Sequence, residues 1–338
     1  MKNTFFLLFT ILLFLGCKES DNNEDFFSGI KNIKGEIVNT DALIGRPAGL
    51  CCTDTRLFIL DRYENRFLTI IDTKNNKSLG RELTIGGGPG EVSAAPVFVT
   101  LSNNGKQLDV YQRNTFKYCT YDFTDDKLSH IETINIERSP ANIVAIENGF
   151  VGIGMMYENG RYGIYNNQGD LIQETGVYPN YDKSMDHHSR FFIDQGHLCS
   201  HPNGTHFALG TIYSDNVEFF SSKNGEIKLL KRYGKGIVNG KMENNLLIID
   251  KSNITGYKGT YTSEKYCYML YSGKPYGDNP NQSLWSENIF VFDWNGNFVK
   301  SYRLDNEVRH FCVDEINNVI YGVVTQESEY AIMKFIMS

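Results

Sequence analysis

The sequence predicts an all-β protein in which six four-stranded antiparallel sheets surround a common axis. The first observation is a short apolar run, often closed by Asp or Asn, whose six copies are Phe67–Asp72, Lys117–Asp122, Tyr162–Asn166, Asn216–Ser221, Asn288–Asp293 and Tyr330–Phe335. The second is spacing, because successive copies start 42 to 72 residues apart. Four strands of about six residues with their turns fill roughly 40 to 50 positions. This rhythm predicts a six-bladed β-propeller.

Each copy is preceded by two further apolar segments, separated by turn residues. The nearer segments, the predicted second strands, are Leu57–Leu60, Leu108–Tyr111, Phe150–Ile153, Phe207–Leu209, Tyr266–Leu270 and Val319–Val324. The farther ones, the predicted innermost strands, are Gly49–Cys52, Val97–Leu101, Ile143–Ile146, His197–Cys199, Tyr257–Tyr261 and His310–Val313.

The last unit needs a strand from elsewhere in the chain. Five units supply their own fourth strand, whereas the sixth ends at Ser338. Ile33–Val38 is the available donor, so we expect it to complete the last blade and close the ring. Closure of this kind leaves few unpaired strand edges. No Pro/Ser-rich linker divides residues 33–338, which we therefore expect to form one propeller domain.

The N-terminus predicts export and lipid attachment. Met1–Gly16 has one positive charge and an apolar core that is too short to span a bilayer, as in a cleaved signal peptide. The pair Gly16-Cys17 resembles the lipobox of bacterial lipoproteins, which implies that Cys17 becomes the lipid-modified first residue. The alternative is an ordinary secretory signal with a chance cysteine. Residues 17–32 are polar and acidic, and we expect a flexible tether there.

These features predict an outer-membrane lipoprotein that faces the periplasm or the cell surface, held to the membrane through lipidated Cys17. The formal net charge of −7 argues against a nucleic-acid partner and against docking on an anionic membrane through protein charge.

The cysteines beyond Cys17 are predicted to be buried thiols. They are Cys51, Cys52, Cys119, Cys199, Cys267 and Cys312. Their even number in an exported protein is also compatible with disulfides, and that alternative stays open. However, they lie inside apolar strands and form no CxxC pair. A free cysteine behaves as a small apolar side chain and fits the crowded axis of such a ring.

A glycine-rich segment follows the first predicted blade. Ile85–Val92 reads IGGGPGEV, and a proline-led strand comes next. The segment lacks the Lys-Ser/Thr partner and the following helix of a phosphate-binding loop. It is similar instead to the G-x-G-P-G-E connector of six-bladed propellers of the TolB-like and NHL-like kind. With the repeat, this resemblance covers nearly all of residues 33–338. It implies the fold, and it implies a binding role first, since these families are mostly binding platforms and a smaller set are hydrolases.

The loops predict two unequal faces. An antiparallel meander puts the second-to-third connections and the blade-to-blade connections on one face, which we call the elaborated face. Its long segments are Gly86–Ala95, Gly176–Gln195, Lys235–Asn253 and Ser272–Glu287. The opposite, short-turn face carries tight turns that end in glycine. Long loops on a rigid scaffold are where binding usually occurs, so we expect the ligand site on the elaborated face.

The loop Gly176–Gln195 contributes three candidate ligand-binding residues, Tyr178, His187 and Arg190. Its imidazoles and carboxylates are also compatible with zinc. His187 and His188 are adjacent, however, and would point apart in an extended chain. No metal ligand is therefore predicted.

The insertion Ser272–Glu287 contributes Tyr276 and Trp285 among Asn, Asp and Ser residues. Amphipathic aromatic side chains of this kind stack on and hydrogen-bond a sugar or a peptide. The alternative for Trp285 is that it anchors its loop to the blade.

Two functional hypotheses follow. The first is an extracytoplasmic binding or scaffold protein for a glycan, a peptide or an envelope protein, with no cofactor. The sequence contains no recognisable nucleophile elbow, histidine-acid pair or paired-carboxylate motif, so no catalytic residue is assigned and an enzyme is less favoured. The alternative is a calcium- or zinc-dependent hydrolase resembling lactonase-type propellers, which hold calcium at the axis through Asp, Glu and Asn. Asn142 is a candidate ligand, although the local motifs of that family are not recognisable.

We predict that Cys17→Ala releases the protein from the membrane fraction or leaves its precursor uncleaved, because the lipid attachment point is lost. Fractionation and immunoblotting of cells that produce each variant measure this, with Ser20→Ala in the same segment as the control. Unchanged processing and membrane association of Cys17→Ala would contradict the lipoprotein prediction.

Overall fold

Six antiparallel sheets surround a central axis in the structure, a computed structural model that describes residues 25–92, 98–102, 105–124, 127–179, 185–223, 225–243, 246–277 and 281–337. The predicted signal peptide 1–16, Cys17 and residues 18–24 of the predicted tether lie outside the described residues. The same holds for three residues of the predicted short turns, Asn103, Asn104 and Asn224.

The N-terminal strands and the first three blades follow one another along the chain. The two N-terminal strands are β1 (Lys31–Ile33) and β2 (Gly35–Ile37). Blade 1 contains β3 (Arg46–Cys52), β4 (Arg56–Tyr63), β5 (Arg66–Asp72) and β6 (Ser78–Thr84). Blade 2 contains β7 (Phe98–Ser102), β8 (Gln107–Gln112), β9 (Lys117–Thr124) and β10 (Lys127–Asn135). Blade 3 contains β11 (Asn142–Ile146), β12 (Gly149–Ile153), β13 (Tyr162–Tyr165) and β14 (Leu171–Thr175).

The second half of the chain adds the helix, a hairpin and three more blades. Helix α1 (His187–Asp194) precedes blade 4, which contains β15 (Gly196–Ser200), β16 (His206–Thr211), β17 (Val217–Lys223) and β18 (Glu226–Tyr233). A separate hairpin consists of β19 (Gly240–Glu243) and β20 (Leu246–Ile249). Blade 5 contains β21 (Tyr257–Thr262), β22 (Tyr266–Tyr271), β23 (Ser286–Asp293) and β24 (Phe298–Val308), with a short 3₁₀ helix at Gln282–Leu284. Blade 6 contains β25 (Phe311–Asp314), β26 (Val319–Gln326) and β27 (Glu329–Ile336).

The predicted all-β, six-bladed propeller of four-stranded antiparallel blades is confirmed. The first strands of neighbouring blades contact one another, β3 with β7 and β25, and β15 with β11 and β21, which places them at the axis. Six apolar clusters hold the ring together, and each lies between two adjacent blades. Because both sides of a blade are covered in this way, its second and third strands are largely buried, as in β12 and β13 of blade 3. The repeated apolar runs of the sequence are these strands.

The predicted ring closure is also confirmed. Strand β2 pairs antiparallel with β27, Gly35 opposite Phe335 and Ile37 opposite Met333, and so completes blade 6. The segment does more than the sequence indicated, since β1 adds a parallel fifth strand to blade 5, with Ile33 opposite Leu304. The predicted closing strand is thus divided between two blades.

Residues 25–32, which the sequence placed in the tether, contact the blades in the structure. The ring of Phe26 lies 5.0 to 5.3 Å, centroid to centroid, from the rings of Tyr233, Phe290, Phe292 and Phe298. Aromatic side chains bury a large apolar area in such clusters. The N-terminal segment is therefore held against the outer side of blades 4 and 5.

The two faces differ in the way that the sequence predicts. The elaborated face carries α1, the β19–β20 hairpin and the insertion between β22 and β23. Neither α1 nor the hairpin was predicted from the sequence. The six cysteines of the described residues are buried, unbridged thiols. Within the part of the chain that the structure describes, no helix has the length and apolar character needed to cross a membrane.

Ring closure predicts that a larger side chain at Gly35 destabilises the protein. A Cβ atom there would lie 2.5 Å from Met333 Sδ and 2.6 Å from Phe335 Cε1, whereas one at Gly87 would have no atom within 4 Å. We expect Gly35→Val to lower the free energy of unfolding by about 1–3 kcal/mol because it overpacks the closing pair. Gly87→Val, the matched control, should change it by about 0.5 kcal/mol or less. Thermal or urea unfolding measures both, and equal stability of the two variants would contradict the closure argument.

Candidate functional site

A cavity of about 360 Å³ opens on the elaborated face between blades 3 and 4, and we call it the blade 3–4 pocket. It is lined by Glu158, Asn159, Gly160, Arg161, Gly176, Val177, Tyr178, His187 and Arg190. These residues come from the β12–β13 connection, the segment after β14 and the first turns of α1. Three of the five candidate ligand-binding residues, Tyr178, His187 and Arg190, therefore converge here.

Helix α1 begins where it does because of Asp186. Its carboxylate accepts hydrogen bonds from the Ser189 backbone N–H at 2.9 Å and from the Ser189 hydroxyl at 2.6 Å, so it caps the helix. Phe191 is buried against the core between blades 3 and 4. The cap and this contact turn His187 and Arg190 toward the pocket, where both line the wall.

Tyr178 and His187 form a fixed pair. The Tyr178 hydroxyl lies 3.1 Å from His187 Nε2, and the two rings meet edge to face at 5.2 Å. Burial, and to a lesser extent the Arg190 charge, lowers the pKa of His187 below its usual value. Burial likewise raises the pKa of Tyr178. Both side chains are therefore uncharged at neutral pH, and together they offer the pocket one aromatic edge and one polar edge.

The floor of the pocket is a buried ionic network that joins blades 3 and 4. Arg161, 1% exposed, pairs with Glu218, which is equally buried. Glu218 also accepts hydrogen bonds from Arg232 Nε at 2.8 Å and from the Tyr162 hydroxyl at 3.1 Å. A buried ion pair contributes little net stability when it is intact, but loss of one partner leaves an uncompensated charge. The network consequently favours one arrangement of Arg161 beneath the pocket.

Asp194, at the end of α1, lies beside this network. Arg161 Nη2 donates a 3.4 Å hydrogen bond to the Asp194 carbonyl, while the Asp194 Oδ1 atom is buried and has no hydrogen-bond partner. Burial raises the pKa of the Asp194 carboxyl to about 7, although Arg161 acts in the opposite direction and Glu218 in the same one. Asp194 therefore titrates near neutrality, directly behind the pocket.

The other two candidate residues lie elsewhere on the elaborated face. Tyr276 packs edge to face on Tyr213 at 6.1 Å, and its backbone N–H donates to the Asn253 carbonyl at 2.7 Å. Trp285 is half-buried just before β23. Neither residue lines the blade 3–4 pocket.

Sequence reasoning missed the charged residues behind the pocket, Arg161, Glu218, Arg232 and Asp194. One signal for them was present. Glu218 stands between Val217 and Phe219 in the buried first half of β17, and a charge in a buried strand indicates a paired partner. The identity of that partner, 57 residues away along the chain, follows only from the contact between blades 3 and 4.

The described residues contain no visible metal-binding centre. No group of three or more His, Cys, Asp or Glu side chains there is arranged to hold an ion. His201 and His206 lie beside Trp294, at ring distances of 5.1 and 6.5 Å. This cluster is on the short-turn face, at the turn between β15 and β16.

Comparison with known proteins supports the architecture. A family model described as TolB-like 6-blade propeller-like matches residues 25–316. A Bacteroides fragilis protein that is provisionally named an exported protein has a TM-score of 0.56 and 13% identity, over 92% of this chain and 96% of that chain. A DUF4221 family member from Bacteroides vulgatus has a TM-score of 0.53 and 9% identity, over 90% and 98% of the two chains. At such identities the similarity shows the fold alone. No curated protein matches this sequence.

The raised pKa of Asp194 predicts a pH-dependent stability. The unfolded carboxyl has a pKa of 3.8 and the folded one about 7, so the native state holds the extra proton between these values. Stability from this group is therefore complete below about pH 4 and is lost as the pH rises through 7. We expect Asp194→Asn to remove that loss, on the order of a few kcal/mol.

Urea unfolding of wild type and Asp194→Asn from pH 4.5 to 7.5 measures the difference, with the exposed Asp54→Asn as the matched control. Parallel pH profiles of wild type and Asp194→Asn would show that Asp194 is ionised throughout and would contradict the prediction.

Proposed function

This chain belongs to the TolB-like family of six-bladed propellers, and on that premise we propose that it is a lipid-anchored binding protein outside the cytoplasm. Export and anchoring are supported by the apolar N-terminal segment followed by Gly16-Cys17. The outer membrane, on its periplasmic or cell-surface side, is the proposed location. The fold neighbour from Bacteroides fragilis that is named as exported is consistent with this placement.

The observation that carries the binding proposal is the convergence of Tyr178, His187 and Arg190 on one cavity. Its volume of about 360 Å³ falls within the roughly 300–1,000 Å³ that small-molecule pockets occupy. The cavity is open on the elaborated face and rests on a packed blade interface, so its walls are held in place before a ligand arrives. Preformed walls reduce the conformational entropy that binding costs.

The arginine side chains of the pocket favour a ligand with a carboxylate. Arg161 and Arg190 line it, and Glu218 pairs with both Arg161 and Arg232 behind it. The other acids nearby are the exposed Glu158, Glu174, which accepts hydrogen bonds from the Glu158 and Asn159 backbone N–H groups, and Asp186, which caps α1. Arginine presents a planar fork of donors that matches a carboxylate. Of the glycan, peptide and partner-protein ligands, an acidic glycan agrees best, because Asn159 and the neutral His187 supply donors and acceptors for sugar hydroxyls. The metal-dependent hydrolase hypothesis has only the fold resemblance in its favour.

We expect Arg190→Gln to weaken binding of uronic-acid oligosaccharides about 10- to 100-fold, since a hydrogen bond to a charged group contributes roughly 1.5–3 kcal/mol. Isothermal titration calorimetry with uronic-acid oligosaccharides and their neutral counterparts measures this. The matched control is Arg62→Gln, an exposed arginine on blade 1 of the same face.

Trp285→Ala tests the competing location, because Tyr276 and Trp285 lie outside the pocket. Loss of binding in Trp285→Ala with normal binding in Arg190→Gln would move the site to the insertion of blade 5. Equal losses in Arg190→Gln and Arg62→Gln would indicate general charge attraction. If the protein binds a peptide with a free carboxylate more tightly than the corresponding amide and does not bind uronates, the pocket remains the proposed site. The proposed ligand is then an acidic peptide and not a glycan.

A further inference from the structure

The entrance of the central axis on the elaborated face has an unusual set of side chains. The first strand of each blade starts at this entrance, and its opening residues face the neighbouring blades there. In the described part of the chain these positions include Asn142, His197, Lys258 and His310, from blades 3 to 6. None of the four is acidic.

Lys258 is a buried cation with an incomplete set of partners. It is 7% exposed, and its Nζ atom donates one hydrogen bond, a long one of 3.4 Å, to the Ile212 carbonyl. The Tyr213 ring is 6.0 Å from the same atom. An ammonium group has three N–H donors, and no ion pair to Lys258 occurs among the described residues. Burial alone lowers the pKa of Lys258, to about 8, so the group remains largely charged at neutral pH.

The imidazoles of His197 and His310 lie at the same entrance as Lys258, on blades 4 and 6, and we call these three residues the basic cluster. Burial, followed by the Lys258 charge, lowers the pKa of His197 to about 4. Burial, Arg309 and His197 lower the pKa of His310 to about 3, against the opposing effect of a hydrogen bond to the Pro47 backbone. Both rings are therefore neutral at pH 7. His197 is close enough to Lys258 for the ammonium charge to act on it, and His310 lies near His197 in turn.

A cavity of about 200 Å³ adjoins this cluster, and we call it the axial cavity. His197 lines it together with Asn142 and Arg113, and so does Ile212, whose carbonyl holds Lys258. Asn142 Oδ1 is buried and has no hydrogen-bond partner. Phe191 and Gln195 close the side toward α1, so the helix separates the axial cavity from the blade 3–4 pocket.

We propose that the axial cavity binds a small oxyanion, and specifically a phosphate group, against His197 and Arg113, which line it. Lys258, which donates a hydrogen bond to the carbonyl of the lining residue Ile212, supplies positive charge from beside the cavity. A buried ammonium without a counterion is costly, and an anion in the adjoining cavity provides one. Lysine and arginine are common phosphate ligands, and neutral imidazoles add N–H donors. Calcium requires oxygen ligands that are mostly carboxylate or carbonyl. The charge at this entrance is therefore opposite in sign to that of a calcium-holding propeller axis.

The test uses the purified full-length protein and inorganic phosphate as the probe. Thermal unfolding is followed with increasing sodium phosphate against sodium chloride of equal ionic strength, and calorimetry gives Kd. The variants are Lys258→Met, which removes the charge at similar volume, and Lys258→Arg, which keeps it. The matched control is Lys265→Met, an exposed lysine in the β21–β22 turn of the short-turn face.

We expect phosphate to raise the melting temperature of wild type and Lys265→Met. In Lys258→Met the Kd for phosphate should rise about 10- to 100-fold, and Lys258→Arg should recover part of the response. Because Lys258→Met removes a buried charge, it should fold without phosphate, and its own melting temperature checks this. An equal phosphate response in wild type and Lys258→Met, or none in wild type at about 10 mM phosphate, would overturn the proposal. Stabilisation by calcium that is lost in Asn142→Ala would also overturn it, in favour of a cation site.

Discussion

The structure depends on the pairing of β2 with β27, because this contact joins the two ends of the chain into a ring. Each apolar cluster lies between two neighbouring blades, so every blade needs a neighbour on both sides to cover it. The cluster between blades 1 and 6 includes Leu50 and Val323, which are far apart in sequence. Only closure brings them together. Strand β1 and Phe26 extend the same N-terminal segment across blades 5 and 4, which fastens the closing strand on both sides.

Closure also determines where chemistry can take place. Once the ring is complete, the first strands line one axis and all long connections leave on the elaborated face. Basic side chains lie there, Lys258 beside the axial cavity and Arg161 and Arg190 at the blade 3–4 pocket, although the chain carries a formal net charge of −7. Local potential in a concave, partly dry site is set by the nearest charges and not by the total. An overall acidic protein can therefore present anion-binding sites.

Much of the architecture was predictable because blade strands are buried on both faces and appear in the sequence as short continuous apolar runs. The closing role of the N-terminal strand followed from counting strands. The elements that were missed are short: α1 has eight residues, and each strand of the β19–β20 hairpin has four. They are stabilised by an Asp186 cap and by contacts with each other and the blades, and such tertiary support has little signature in a linear pattern.

The sequence by itself determined the repeat, the number of blades, the asymmetry of the two faces and the residue types in the long loops, because each of these depends on local order along the chain. The tertiary structure decided which of those residues meet. Tyr178, His187 and Arg190 share a pocket, while Tyr276 packs on Tyr213 in another blade. The reason is distance along the chain. Arg161 and Glu218 come from adjacent blades, and no local sequence pattern indicates which charged residue of one blade lies opposite which charged residue of the next. Only the closed ring supplies that information.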